Sequence, residues 1–159
     1  MAGEVNPQNG AAGETSALRA EHRIRIEAPA QDVWAVLSDL AGWSTWNPVY
    51  TAPVCVPKVG ETVTATVTMP DSPPNPFTAE ICAWEPNRRF GWHSSAMDGQ
   101  MQMTRYMEIE PVSDNSCMFT NGEAFGGEMG PVIMKDMVGG IANGFRLMSE
   151  ALKKAVETR

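Results

Sequence analysis

Hydrophobic and polar positions alternate through most of this chain, and helical spacing takes over only near its two ends. Between residues 21 and 28, Ile24 and Ile26 fall on one side, with Arg23, Arg25 and Glu27 on the other, as in a strand with one wetted face. Pro29 ends that strand and opens a helix over residues 30–39, with Val33, Val36, Leu37 and Leu40 as its buried stripe and Trp34 at the border. The following Gly42-Trp43-Ser44-Thr45-Trp46-Asn47-Pro48 is too short for a full helix and reads as a second short one stopped by Pro48.

Period two then dominates. Residues 49–56 form a broken strand around Pro53, and residues 62–69 set Val63, Ala65, Val67 and Met69 against four threonines. Pro70, Pro73, Pro74 and Pro76 mark a loop, and strands follow at residues 77–84, 89–94, 100–110 and 116–125. Consecutive strands with short links make an antiparallel meander. Residues 130–159 read as one long helix. Pro131 sits in its first turn, Met134, Met137, Val138, Ile141, Phe145, Met148 and Leu152 share one face, and Lys153, Lys154 and Arg159 lie at the end favoured by the dipole. Gly139, Gly140 and Gly144 interrupt it, each at about 1 kcal/mol against alanine. They serve close packing or a kink, or they leave room for something held between helix and sheet. The predicted class is α+β, a strongly curved antiparallel sheet around a terminal helix.

Composition narrows the functions. The 159 residues suit one domain with a real core, and the net charge of −7 offers no basic surface for nucleic acid. No apolar run reaches the length of a membrane span and no secretory leader is evident, so a cytoplasmic protein is expected. Residues 1–20, rich in Gly, Ala, Asn, Glu and Ser, read as a disordered tail before a domain at residues 21–159. Cys55, Cys82 and Cys117 are too scattered for a metal knuckle and are expected to be small buried hydrophobes, while His22 and His93 are too few for most histidine sites. The sequence gives no warrant for a metal or an organic cofactor. Eleven methionines are many, and methionine often lines adaptable apolar sites.

The chemistry concentrates at Arg105. Alternation places it in one inward row with Met101, Met103, Met107 and Ile109. A guanidinium keeps its charge there, so it needs a carboxylate, water or a ligand anion. On the next strand Phe119, Asn121, Glu123 and Phe125 share a face, which makes Glu123 the candidate partner. The pair is either a buried structural bridge or a polar spot that orients a ligand carbonyl or carboxylate. Trp92, on the face of Phe90, is a candidate wall, His93 faces outward, and Trp43 and Trp46 pack where the short helix meets the sheet and could border a pocket mouth. The candidate ligand-binding set is Trp92, Met101, Met103, Arg105, Met107, Phe119, Asn121, Glu123, Met134, Met137, Val138 and Ile141, with Arg105 and Glu123 the catalytic candidates.

Several motifs recur in a shared order. Ile26-Glu27-Ala28-Pro29, Val33-Trp34, Val36-Leu37-Ser38-Asp39 and Trp43…Trp46-Asn47-Pro48 resemble the opening of the START-like, or Bet v 1-like, superfamily, in its bacterial polyketide cyclase/dehydrase and lipid-transport branch. Glu85-Pro86 with Arg89-Phe90 and Trp92, Ile109-Glu110-Pro111, Glu123-Ala124-Phe125-Gly126-Gly127, Gly144-Phe145 and Ala151-Leu152 resemble later pieces, so the likeness spans residues 22–157. It implies a helix-grip fold of seven strands, two short helices and an apolar cavity. Arg105 stands about where many relatives carry a histidine or a neutral residue, and Asn121 where a histidine is sometimes found; both changes take away a proton carrier near neutral pH and favour binding over acid–base chemistry. Three readings follow: binding of a small, largely apolar ligand, a cyclase or dehydratase using Arg105 and Glu123, and a co-chaperone-like module whose contact surface is the threonine strand and proline loop. The sequence leaves the oligomeric state open, a homodimer included.

Overall fold

The computed structural model describes residues 18–159. Most of the expected tail lies outside the described residues, but its last three belong to β1 (Leu18–Ile26), where Ala20 is buried. A helix α1 (Ala30–Leu37) and a 3-10 turn (Leu40–Thr45) follow. Then come β2 (Tyr50–Cys55), β3 (Thr62–Val67), β4 (Asn75–Glu85), β5 (Arg89–Ala96), β6 (Met101–Ser113) and β7 (Ser116–Gly126). The chain ends in α2 (Gly130–Met134) and α3 (Val138–Glu157).

All seven strands form one antiparallel sheet in the order β1-β7-β6-β5-β4-β3-β2. Only β1 crosses over, to pair with β7; the rest is a meander. The inward faces of the sheet close on α3, whose buried stripe is Ile141, Phe145, Met148, Leu152 and Val156. Alternation is read correctly in β3, where Val63 and Ala65 are buried, and in β5, where Phe90 and Trp92 are buried and His93 is exposed. This is the helix-grip arrangement that the motifs imply.

One prediction needs correction. The single helix expected over residues 130–159 is broken, with a turn at residues 135–137 between α2 and α3. The Met137 amide donates to the Met134 carbonyl at 2.9 Å, a tighter closure than an α-helix makes. The glycine pair Gly139-Gly140 just beyond weakens helix formation, so the two segments need not be continuous. Gly139 and Gly140 have open space where a side chain would be, whereas Gly144 lies under Met69 and Pro70. The cysteine expectation also fails in part, since Cys117 is buried but Cys82 is exposed.

These surroundings give opposite signs for two glycine substitutions. Gly139→Ala, with nothing to meet, is expected to raise stability by up to ~1 kcal/mol through helix propensity. Gly91→Ala would place its Cβ 2.6 Å from the Arg105 backbone carbonyl oxygen on the neighbouring strand, and is expected to cost about 1–3 kcal/mol. Urea denaturation of the two variants beside wild type checks both.

Candidate functional site

Arg105 is fully buried, as alternation requires. Its partner is not the one expected. Arg105 and Glu123 are opposite one another in the β6–β7 register, yet no ion pair joins them among the described residues. Instead Nε donates to the Tyr50 hydroxyl at 2.8 Å, and Nη1 donates to the Gly122 carbonyl at 2.8 Å and the Tyr106 carbonyl at 3.1 Å. Nη2 reaches Met148 Sδ at 3.6 Å, and the guanidinium carbon stands 3.9 Å from the centre of the Phe145 ring. The side chain reaches α3 and Tyr50, with Nη1 held on the Gly122 carbonyl beside Glu123. Carbonyl dipoles, a hydroxyl and an aromatic face take the place of a counter-ion.

Tyr50 is brought there by a local device. The Asn47 side-chain oxygen accepts from the amides of Val49 at 2.9 Å and Tyr50 at 3.1 Å, turning the chain out of the 3-10 turn into β2. The Tyr50 ring then meets Trp92 edge-on at 5.4 Å, and Trp92 stacks on Phe77 at 5.5 Å. Burial holds the Tyr50 phenol above its ordinary pKa, while the Arg105 cation pulls the other way. Tyr50 therefore stays protonated near neutral pH. Its oxygen is occupied by Arg105, which leaves its hydrogen to donate.

Tyr50, Phe77 and Trp92 form the aromatic wall of a cavity of about 590 Å³ between the sheet, the proline loop and the start of α3. Val67, Met69, Met103, Met137 and Ile141 supply aliphatic wall, Pro70 and Pro73 one rim, and Asp136 and Gly140 the other. Ser72, Asn75, Thr78, Ser94 and Ser95 add hydroxyl and amide groups, and Glu123 brings a carboxyl. Burial pushes the Glu123 carboxyl above the usual carboxylate range, partly offset by Arg105.

Of the expected set, the structure brings Trp92, Met103, Glu123, Met137 and Ile141 to this cavity. The others lie elsewhere. Arg105, Met107 and Phe119 are sealed in the core, since β6 and β7 cross the closed part of the sheet there. Asn121 is a clip between sheet and helix, donating to the Phe145 carbonyl and to Ser149 Oγ, both at 3.2 Å. Met101, Met134 and Val138 pack in a smaller cluster around Phe125 and Phe145, at the end where the helix breaks. Trp43 is fully buried, with its indole nitrogen donating to the Leu37 carbonyl at 2.9 Å, and neither it nor Trp46 borders the cavity. Sequence reasoning missed Tyr50. The only trace of it was an aromatic residue two positions after Asn47-Pro48 in an irregular strand. Val67 and Met69 were legible as the apolar side of their strand but not as cavity wall, and Phe77 only as the start of a strand.

A curved sheet gripping one helix, with a ligand-sized chamber between them, defines a helix-grip protein. The chain belongs to the polyketide cyclase / dehydrase and lipid transport family, whose model matches residues 17–157. No curated protein matches it. Among solved structures it is similar to the Zhui aromatase/cyclase from Streptomyces sp. R1128, with a TM-score of 0.70 and 18% identity over 90% of this chain and 95% of that one. A truncated norcoclaurine synthase from Thalictrum flavum gives 0.66 and 15% identity over 88% and 93% of the two chains. A START superfamily protein from Mycobacterium smegmatis gives 0.66 and 15% over 88% and 97%. At these identities the likeness establishes the fold. No helix among the described residues is long and apolar enough to cross a membrane.

Two measurements follow from this geometry. Tyr50→Phe leaves a buried guanidinium N–H without its acceptor and is expected to cost about 1–3 kcal/mol, more than Tyr106→Phe, whose hydroxyl meets the exposed Glu21. Glu123 holds its proton to higher pH when folded than when unfolded, so stability falls as pH rises from the ordinary carboxylate value to the native one. Glu123→Gln removes that loss. Its stability advantage over wild type is expected to grow from pH ~3.5 to pH ~8, and denaturation at the two values checks the sign.

Proposed function

We propose that this protein binds a small, largely apolar molecule of lipid, aromatic or polyketide-like character in the chamber between its sheet and its terminal helix. The supporting observation is the cavity itself, about 590 Å³ with aromatic, methionine and aliphatic walls. That size and make-up, with a few convergent polar groups, are those of ligand sites. Tyr50 offers a hydrogen to a ligand carbonyl or hydroxyl, and Glu123 and the serines of β5 offer further polar contacts. Met69, Met103 and Met137 let the wall follow different ligand shapes. The family description, which joins lipid transport to polyketide chemistry, supports this class of ligand.

One observation favours the cyclase or dehydratase reading as a second possibility. Glu123 is free of Arg105, faces the cavity and has a carboxyl raised by burial, the state of a group able to take and return a proton. In that reading Tyr50, not the sealed Arg105, would stabilise an enolate oxygen. The interaction-module reading expected a solid interior, and Pro70 and Pro73 of its proposed surface are cavity rim.

Native mass spectrometry with fatty acids, aromatics and polyketides tests the binding reading, with wild type expected to retain members of at least one class. Met103→Trp fills the chamber from the middle of its wall and is expected to weaken that binding at least ~10-fold, with the fold retained by circular dichroism. Absence of binding by wild type, or equal binding by the filled variant, contradicts the proposal.

A further inference from the structure

The charges on the cavity wall are all of one sign. Glu123 and Asp136 line it, and among the described residues no lysine, arginine or histidine does. Arg105 acts on Glu123 through its charge, but it is behind the wall, with its donors directed to Tyr50, two carbonyls and Met148. A ligand anion therefore meets two carboxyl groups and no exposed base. A ligand cation meets a carboxyl group that has no salt bridge among the described residues and an aromatic wall of Phe77, Tyr50 and Trp92, the last two with Arg105 at 5.4 and 5.8 Å from their ring centres. Aromatic faces attract cations, and an ammonium entering an apolar space needs a counter-charge already in place.

Building on the cavity reading above, we infer that the ligand class is an apolar or aromatic amine. Its ammonium group meets Glu123, with Asp136 adding attraction at the rim, and its body packs against the aromatic wall. The same arrangement disfavours fatty acids and other carboxylates, because like charges brought together in a partly desolvated site repel. This reverses the preference that an Arg105 open to the cavity would give.

The test is isothermal titration at neutral pH with phenylbutylamine, phenylbutanol and phenylbutyrate, three probes with one apolar body and different charge. Wild type is expected to bind the amine about 10-fold more tightly than the alcohol, and the carboxylate most weakly. In Glu123→Gln the amine-to-alcohol ratio is expected to fall close to one, with a smaller fall in Asp136→Asn. Binding of the alcohol without preference for the amine overturns this inference alone. So does an amine preference that survives when both acids are replaced together. Binding of none of the three overturns the cavity reading and this inference with it.

Discussion

A permanent cation sits in the interior of this domain without a carboxylate ion pair among the described residues. Arg105 is buried where β6 passes under α3, and its charge is absorbed by the Tyr50 hydroxyl, two backbone carbonyls and the face of Phe145. The arrangement links three parts of the fold. β2 supplies Tyr50, the β6–β7 pair supplies the carbonyls, and α3 supplies Phe145 and Met148. An unpaired buried charge is costly, so this set of contacts constrains how the sheet curves and where the helix rests.

The cavity depends on that constraint. Because Arg105 is held by Tyr50, backbone carbonyls and α3, the opposing Glu123 forms no ion pair with it and lines the cavity. The break at residues 135–137 then bends the chain so that Asp136 and Met137 form the rim beside it. The bare face of Gly140 lies on the cavity rim, while Gly144 fits against Met69 and anchors the helix to the proline loop. The mid-helix glycines thus serve both purposes offered for them, close packing at Gly144 and room at Gly140.

Much of the fold was legible because it rests on periodicity. Alternation placed Arg105 inward and His93 outward, and the ordered motifs from Ile26 to Leu152 pointed to the family. The site was less legible, and the reason is geometric. Cross-strand neighbours can be guessed from adjacent strands, so Glu123 was the natural partner for Arg105. Tyr50 comes from β2, at the far edge of the sheet order, and reaches β6 only because the sheet curves. No pairwise pattern in the sequence encodes curvature of that kind. Likewise, Met107 and Phe119 share the inward face with cavity residues, but alternation separates inside from outside and does not separate filled core from void.

The central claim is that Arg105 is sealed as part of the scaffold and Glu123, not Arg105, faces the chamber. Side-chain nitrogen NMR of the Arg105 Nε–H group during titration with a neutral apolar probe tests it most directly. The account predicts a resolved signal in slow exchange with water, which Tyr50→Phe perturbs and the probe barely moves. Rapid exchange with solvent, or a large shift as the probe binds, would place the guanidinium in the chamber and contradict the account.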